Sequence, residues 1–173
     1  MSYITEDVRD ALFIEYETPE HIIGHCEEVA IVSKLIAKSL NKVGYSINID
    51  LLYGASSVHD LVRLRERHDL ECAKILREKG YLEESELVKK HMRYSPFNKI
   101  DDVDEQDLLC LADRLVLEDE YAGLEKRMEY IVAKVKDKKD IVDIILGKKT
   151  ETKELIDGIE KKIGIKLDEL CEK

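Results

Sequence analysis

Only two prolines and eight glycines punctuate the 173 residues of this chain. Few positions force a turn, and β-branched residues do not alternate with polar ones over any long window, so the apolar period is helical. The four cysteines, Cys26, Cys72, Cys110 and Cys171, are scattered and form no C-x-x-C pair, which excludes a zinc knuckle or redox dithiol and favours reduced, packed thiols. No apolar run approaches the ~18 residues of a membrane span. The opening "MSYITEDVRDALF" has neither the basic start nor the continuous apolar stretch of a signal peptide, so the expected location is cytoplasmic. The G-x-x-x-x-G-K-[ST] and G-x-G-x-x-G patterns are both missing, which leaves P-loop and Rossmann nucleotide sites unsupported. Positive charge is scarce as well. With 28 Lys and Arg against 38 Asp and Glu, a net charge of -10 offers no basic footprint for nucleic acid or an anionic membrane.

What is present is a chain 44% hydrophobic and 38% charged, which suits one compact soluble domain with an appended element. Residues 1–118 hold 24 acids and 15 bases, whereas 119–173 hold 14 and 13, a nearly neutral but densely charged tail. The expected class is all-α. Thr18 reads as the N-cap of a helix with Pro19 at its first position, running to about Leu40 and ending near Gly44. Asn48 or Asp50 caps the next helix, to about Leu64. Another covers about Asp69 to Lys79, and a shorter one about Glu83 to Met92. The stretch "YSPFNKIDD" is a loop, and Asp102 or Asp104 starts the helix of "LLCLADRLVL". The tail divides into "YAGLEKRMEYIVAKV", "DIVDIIL" and "ETKELIDGIEKKIG", separated by Gly147 and charged turns.

Several of these helices turn an ionisable residue toward their own apolar stripe. His25 lies one turn from Ile22 and Val29, His59 from Ala55 and Val62, His91 from Leu87 and Val88, and Asp113 from Leu109, Val116 and Leu117. One inward histidine is ordinary core, hydrogen-bonded and inert. A buried carboxylate is different, since it costs several kcal/mol unless paired or heavily hydrogen-bonded. Imidazoles and carboxylates converging from four helices form a ligand set for a first-row divalent metal, whose charge offsets that cost.

The pattern resembles the HD-domain metal-dependent phosphohydrolases. The resemblance rests on "HCEEVAIVSKLIA" with His25, on "LLYGASSVHDLVR" with the His59-Asp60 doublet, and on "LLCLADRL" with Asp113, over roughly residues 18–118. It implies an HD helical core, here residues 1–118, in which His25, His59, Asp60 and Asp113 bind one metal, with 119–173 as a C-terminal helical extension. "HDLECAKIL" and "LVKKHM" are similar to the segments that supply further histidines in two-metal members, so His68 and His91 become ligands of a second site. One departure is His91-Met92, where many two-metal members carry consecutive histidines. Asp69 reads more simply as a helix cap, and His21 as a solvated first-turn residue or a substrate contact. Cys26 and Cys110 adjoin ligand positions but project about 100° away, toward packing.

Such a metal, Fe, Mn, Co, Ni, Zn or Mg and one or two ions per chain, lowers the pKa of its water and polarises an electrophile beside it. An anionic substrate also needs cations, and Arg63, Arg65, Arg67, Lys89, Lys90, Arg93 and Arg114 stand near the proposed ligands in sequence. Arg63, Lys90, Arg93 and Arg114 are the candidate substrate contacts. Arg63 follows the doublet where family members often carry a lysine, which the resemblance links to phosphate binding or transition-state stabilisation. Asp60 is a candidate general base. The expected function is hydrolysis of a small phosphorylated metabolite, a nucleotide on the family's account. Alternatives are a two-metal dinucleotide or cyclic-nucleotide phosphodiesterase and a non-catalytic regulatory or scaffold domain. The tail stripe of Leu124, Met128, Ile131, Val132 and Val135 is expected to pack on the core, shape a substrate rim, or pair with a second subunit as a homodimer.

Overall fold

The computed structural model describes residues 2–172. Its helices are α1 (Glu6–Glu15), α2 (Glu20–Lys42), α3 (Ile49–Val58), α4 (His68–Glu78), α5 (Leu82–Lys90), α6 (Glu105–Asp113), α7 (Leu124–Val135), α8 (Lys139–Ile163) and α9 (Leu167–Cys171). Two single 3-10 turns, His91–Arg93 and Ile100–Asp102, lie between α5 and α6. The strands β1 (Val116–Leu117) and β2 (Glu120–Tyr121) pair as one small antiparallel hairpin. The protein is all-α apart from that hairpin. Among the described residues no helix is long and apolar enough to cross a membrane.

The centre of the fold is α2, which packs against α3, α6, α8, α9 and the hairpin. Its buried residues, among them Cys26, Val29, Val32, Ile36 and Leu40, recur at three- and four-residue intervals, so one helix carries apolar surface for several neighbours. Fully burying one aliphatic side chain contributes ~1.5–3 kcal/mol, and these positions join a single core that also takes in Leu155, Ile156 and Ile159 of α8. Several polar groups inside are partnered. Ser33 donates to the Ala30 carbonyl at 3.1 Å, and Glu84, nearly inaccessible, accepts from the Ile4 N–H at 2.9 Å. All four cysteines are buried and free.

Several helix ends differ from the sequence expectation. Thr18 does not cap α2: its hydroxyl donates to the Leu61 carbonyl at 2.8 Å, and Pro19 takes the cap position. Asn48, not Asp50, caps α3 by accepting from Leu51 N–H. That helix stops at Val58 instead of Leu64, and the chain continues in tight turns with Leu61, Arg63 and Arg65 N–H bonded three residues back. Asp69 is the second residue of α4 and not its cap. Arg67 holds the cap position in the left-handed region, and its guanidinium lies 3.5 Å from the Asp69 carboxylate. The α6 helix ends at Asp113, so Val116 and Leu117 belong to the hairpin and share no helix face with it. Gly147 does not break the tail, where α8 runs through it for 25 residues; an exposed helical glycine costs only about 1 kcal/mol.

The start of α6 is pinned by one carboxylate. Asp107, fully buried, accepts from Tyr94 Oη at 2.9 Å and from Asn98 N, Asn98 Nδ2 and Asp104 N at 3.0 Å, while Asp104 accepts from Asp107 N–H in a reciprocal capping box. Removing that hub orphans several donors at once. Asp107→Ala is expected to lower unfolding free energy by about 3 kcal/mol or more in urea titrations; a loss under ~1 kcal/mol would show that water or neighbouring groups replace the carboxylate without cost.

Candidate metal centre

The ionisable residues gather where helices end. His25 lies in the second turn of α2, and His59 and Asp60 occupy the turn that closes α3. His68 opens α4, His91 opens the 3-10 turn after α5, and Asp113 is the last residue of α6. Two local devices hold the doublet turn in place. The Thr18 hydroxyl fixes the Leu61 carbonyl, and the Cys72 thiol donates to the Val58 carbonyl, which also accepts from the Leu61 N–H.

The result is a chain of imidazoles around two carboxylates. Ring centroids are 5.4 Å apart for His25 and His59, 5.1 Å for His59 and His91, and 5.5 Å for His68 and His91. Asp113 Oδ1 lies 2.9 Å from His25 Nε2 and 3.6 Å from His59 Nε2. Asp60 Oδ2 is 3.7 Å from His59 Nε2, and Oδ1 is 3.1 Å from His68 Nε2 and 3.4 Å from His91 Nε2. Two triplets of donor atoms, His25-His59-Asp60 and Asp60-His68-His91, are each compact enough to hold a metal ion, and Asp60 belongs to both.

Backbone carbonyls set the tautomers. Nδ1 of His25 donates to the Glu118 carbonyl at 2.8 Å, that of His59 to Ser56 at 2.8 Å, and that of His91 to Val88 at 2.6 Å. In the neutral ring the lone pair is therefore on Nε2, the atom that faces the carboxylates. The hairpin that gives His25 its anchor approaches α2 closely at Gly24, where a Cβ would lie 3.0 Å from Asp119 Cβ.

Nε2 of His59 and of His91 and Oδ1 of Asp60 are buried with no hydrogen-bond partner among the described residues. Three such atoms within one cluster are costly unless a cation binds them, so the residues present fit a divalent metal. Electrostatics agree. Burial pushes the Asp60 carboxyl up, but His59, His68 and His91 together hold it well below the usual carboxylate range. Asp113 follows the same pattern, burial being outweighed by His25 and His59. Both remain anionic.

A cavity of about 590 Å³ opens onto this cluster, with His25, Asp60, His91 and Asp113 in its wall. Of the cations singled out in the sequence, Arg63 and Arg114 reach that wall. Arg63 is 43% exposed at its side chain and donates to His68 Nε2 at 2.8 Å, with Asp60 Oδ1 3.7 Å away. Arg114 is committed elsewhere: it donates to Thr152 Oγ1 at 2.9 Å and the Tyr94 carbonyl at 2.8 Å, and stacks 4.5 Å above the Phe97 ring. Arg65, Arg67, Lys89, Lys90 and Arg93 do not line the cavity, and Lys90 and Arg93 are exposed. His21 is exposed and does line it. Cys110 also reaches the wall, but burial pushes its thiol up to about 12, so it is no nucleophile at neutral pH. Met128 and Ile131 of the tail stripe line the cavity, as the substrate-rim alternative anticipated, but the cations Arg127 and Lys148 were missed because cations and acids are interspersed throughout that segment.

A family model described as HD domain matches residues 22–117 of the chain. No curated protein and no solved structure matches it.

Uptake of a divalent ion is measurable by elemental analysis of protein loaded with manganese or iron and desalted. His59→Ala and Asp60→Ala are expected to lose at least ~100-fold in metal affinity, the upper end of what even an outer partner's loss costs. If protein loaded in this way holds two ions, His91→Ala is expected to hold one. Full stoichiometric metal in His59→Ala and Asp60→Ala would rule out the cluster as the binding site.

Proposed function

The chain belongs to the HD-domain family, and from that premise we propose that it is a divalent-metal-dependent phosphohydrolase acting on a small phosphorylated metabolite. The observation that carries the proposal is the pair of donor triplets sharing Asp60 on the wall of a ligand-sized cavity. In this reading His25, His59, Asp60 and Asp113 hold one ion, and His68 and His91 join Asp60 for a second. A divalent ion there supplies Lewis acidity, polarising a phosphoryl oxygen and favouring attack by water at neutral pH.

The chain's own residues do the rest. Carbonyl-anchored imidazoles present fixed lone pairs, so little reorganisation is needed when the substrate arrives. Asp60, held anionic between both triplets, is the carboxylate best placed to accept a proton from the attacking water. Arg63 brings the exposed guanidinium nearest this cluster, and its planar fork suits two phosphoryl oxygens. Arg114, bound to α8 and the 94–97 segment, positions the cavity wall instead of gripping substrate. The second triplet favours a two-ion centre, which brings phosphodiesters within range alongside monoesters; nucleotides are the first class to screen on the family's account.

Phosphate release from nucleotides, dinucleotides, cyclic nucleotides and sugar phosphates, measured with Mn, Fe, Co, Ni, Zn or Mg, tests the proposal. Arg63→Ala is expected to retain its metal yet lose kcat by roughly 10²–10³-fold, as on removal of one transition-state donor. Arg63→Lys is expected to recover part of that loss, keeping the charge without the fork. Wild-type turnover in both variants would remove Arg63 from the mechanism, and the absence of hydrolysis with every ion would leave the domain a regulatory or scaffold module.

A further inference from the structure

The cavity has two chemically distinct walls. The core side carries the His and Asp cluster. The tail side comes from α7, with Arg127, Met128, Tyr130 and Ile131, and from α8, with Ile145 and Lys148 one turn apart on the same face. That second wall is largely apolar and holds two cations.

Neither cation has a partner among the described residues. Arg127 and Lys148 are half-buried, and neither side chain makes an ion pair or hydrogen bond among the described residues; the Nε of Arg127 is buried outright. A guanidinium cannot shed its proton to relieve that cost. Elsewhere in the tail lysines do find acids: Lys149 meets Glu125, Lys153 meets Asp157, Lys162 meets Asp101 and Lys166 meets Glu160. In a chain with ten more acids than bases, two unpaired cations on one cavity are not a shortage of carboxylates. The acids that share the cavity are Asp60 and Asp113 of the cluster and the exposed Glu118.

We propose that this tail wall recognises a second anionic group on the substrate, Arg127 and Lys148 binding it while its low-polarity span lies on Met128, Ile131 and Ile145. The reacting group is the phosphoryl of the reading above, on which the inference rests. The substrate class is therefore a phosphate ester whose leaving group ends in a further phosphate or carboxylate. Charge-assisted hydrogen bonds from a half-buried fork and an ammonium supply the selectivity.

Alkylphosphonates separate binding from hydrolysis, because their carbon–phosphorus bond is not cleaved. Calorimetry on the manganese-loaded protein compares methyl-terminated chains of several lengths with the same chains ending in a carboxylate. At the best length the carboxylate form is expected to bind at least about tenfold tighter. The Arg127→Ala/Lys148→Ala double variant is expected to bring that ratio within about twofold, and the Arg127→Lys/Lys148→Arg variant, which keeps both charges, to preserve most of it. A ratio near one in wild type at every length, a ratio surviving in the alanine variant, or no binding of either probe would overturn the proposal. Preferential binding of the carboxylate form without hydrolysis of any phosphate ester would sink the phosphohydrolase reading alone and leave second-anion recognition standing.

Discussion

The shared carboxylate of Asp60 is the constraint on which the site is built. Its Oδ1 sits within 3.4 Å of two imidazole nitrogens and its Oδ2 within 3.7 Å of a third. A buried anion in that setting is tolerable only with positive charge around it. The fold meets the demand by bringing the ends of α3, α5 and α6 and the start of α4 to one point. Each histidine whose Nδ1 donates to a backbone carbonyl is thereby oriented before any ion or substrate arrives. The apolar core contributes rigidity, since α2 meets four other helices and the hairpin through closely packed side chains.

The candidate cluster was legible in the sequence because imidazoles and carboxylates are rare on apolar helix faces. His25, His59, His91 and Asp113 stand out against Val, Leu and Ile at helical spacing, and the structure brings them together with Asp60 and His68. Helix ends were less legible. No glycine or proline marks the stop of α3 at Val58, which is set by the tight 59–65 turns and by the Thr18 and Cys72 bonds from distant segments. The left-handed Arg67 carries no local signature, so Asp69 looked like the cap. The helical period of "LLCLADRLVL" continues past Asp113, while the chain turns into the hairpin because Leu115 accepts from Ala122 and Gly123.

The cationic wall was invisible for a different reason. Proximity in sequence pointed to Lys90 and Arg93, which do not line the cavity, whereas its tail-side cations lie on α7 and α8. Only tertiary packing brings those helices there. Gly158 lets α8 settle against Ile100, whose side chain would meet a Cβ at 3.2–3.4 Å, and Glu151 accepts from the Phe97 N–H at 2.6 Å. Neither contact is encoded near the residues it positions.

Asp113 and Arg114 are consecutive, and they face different partners. The first touches the imidazoles of His25 and His59; the second grips Thr152 on α8 and the carbonyl of Tyr94. One peptide unit thus joins the cluster to the helix that forms the opposite wall, as a rivet joins two plates. The hairpin adds another rivet, since Glu118 anchors His25 and the chain passes from it straight into α7. A tail exchanged for another sequence would carry these fastenings away with it. Cavity lining and ligand alignment are therefore inherited as a unit, and a change of specificity in this architecture comes most cheaply by altering single side chains on α7 and α8 with their backbones left in place.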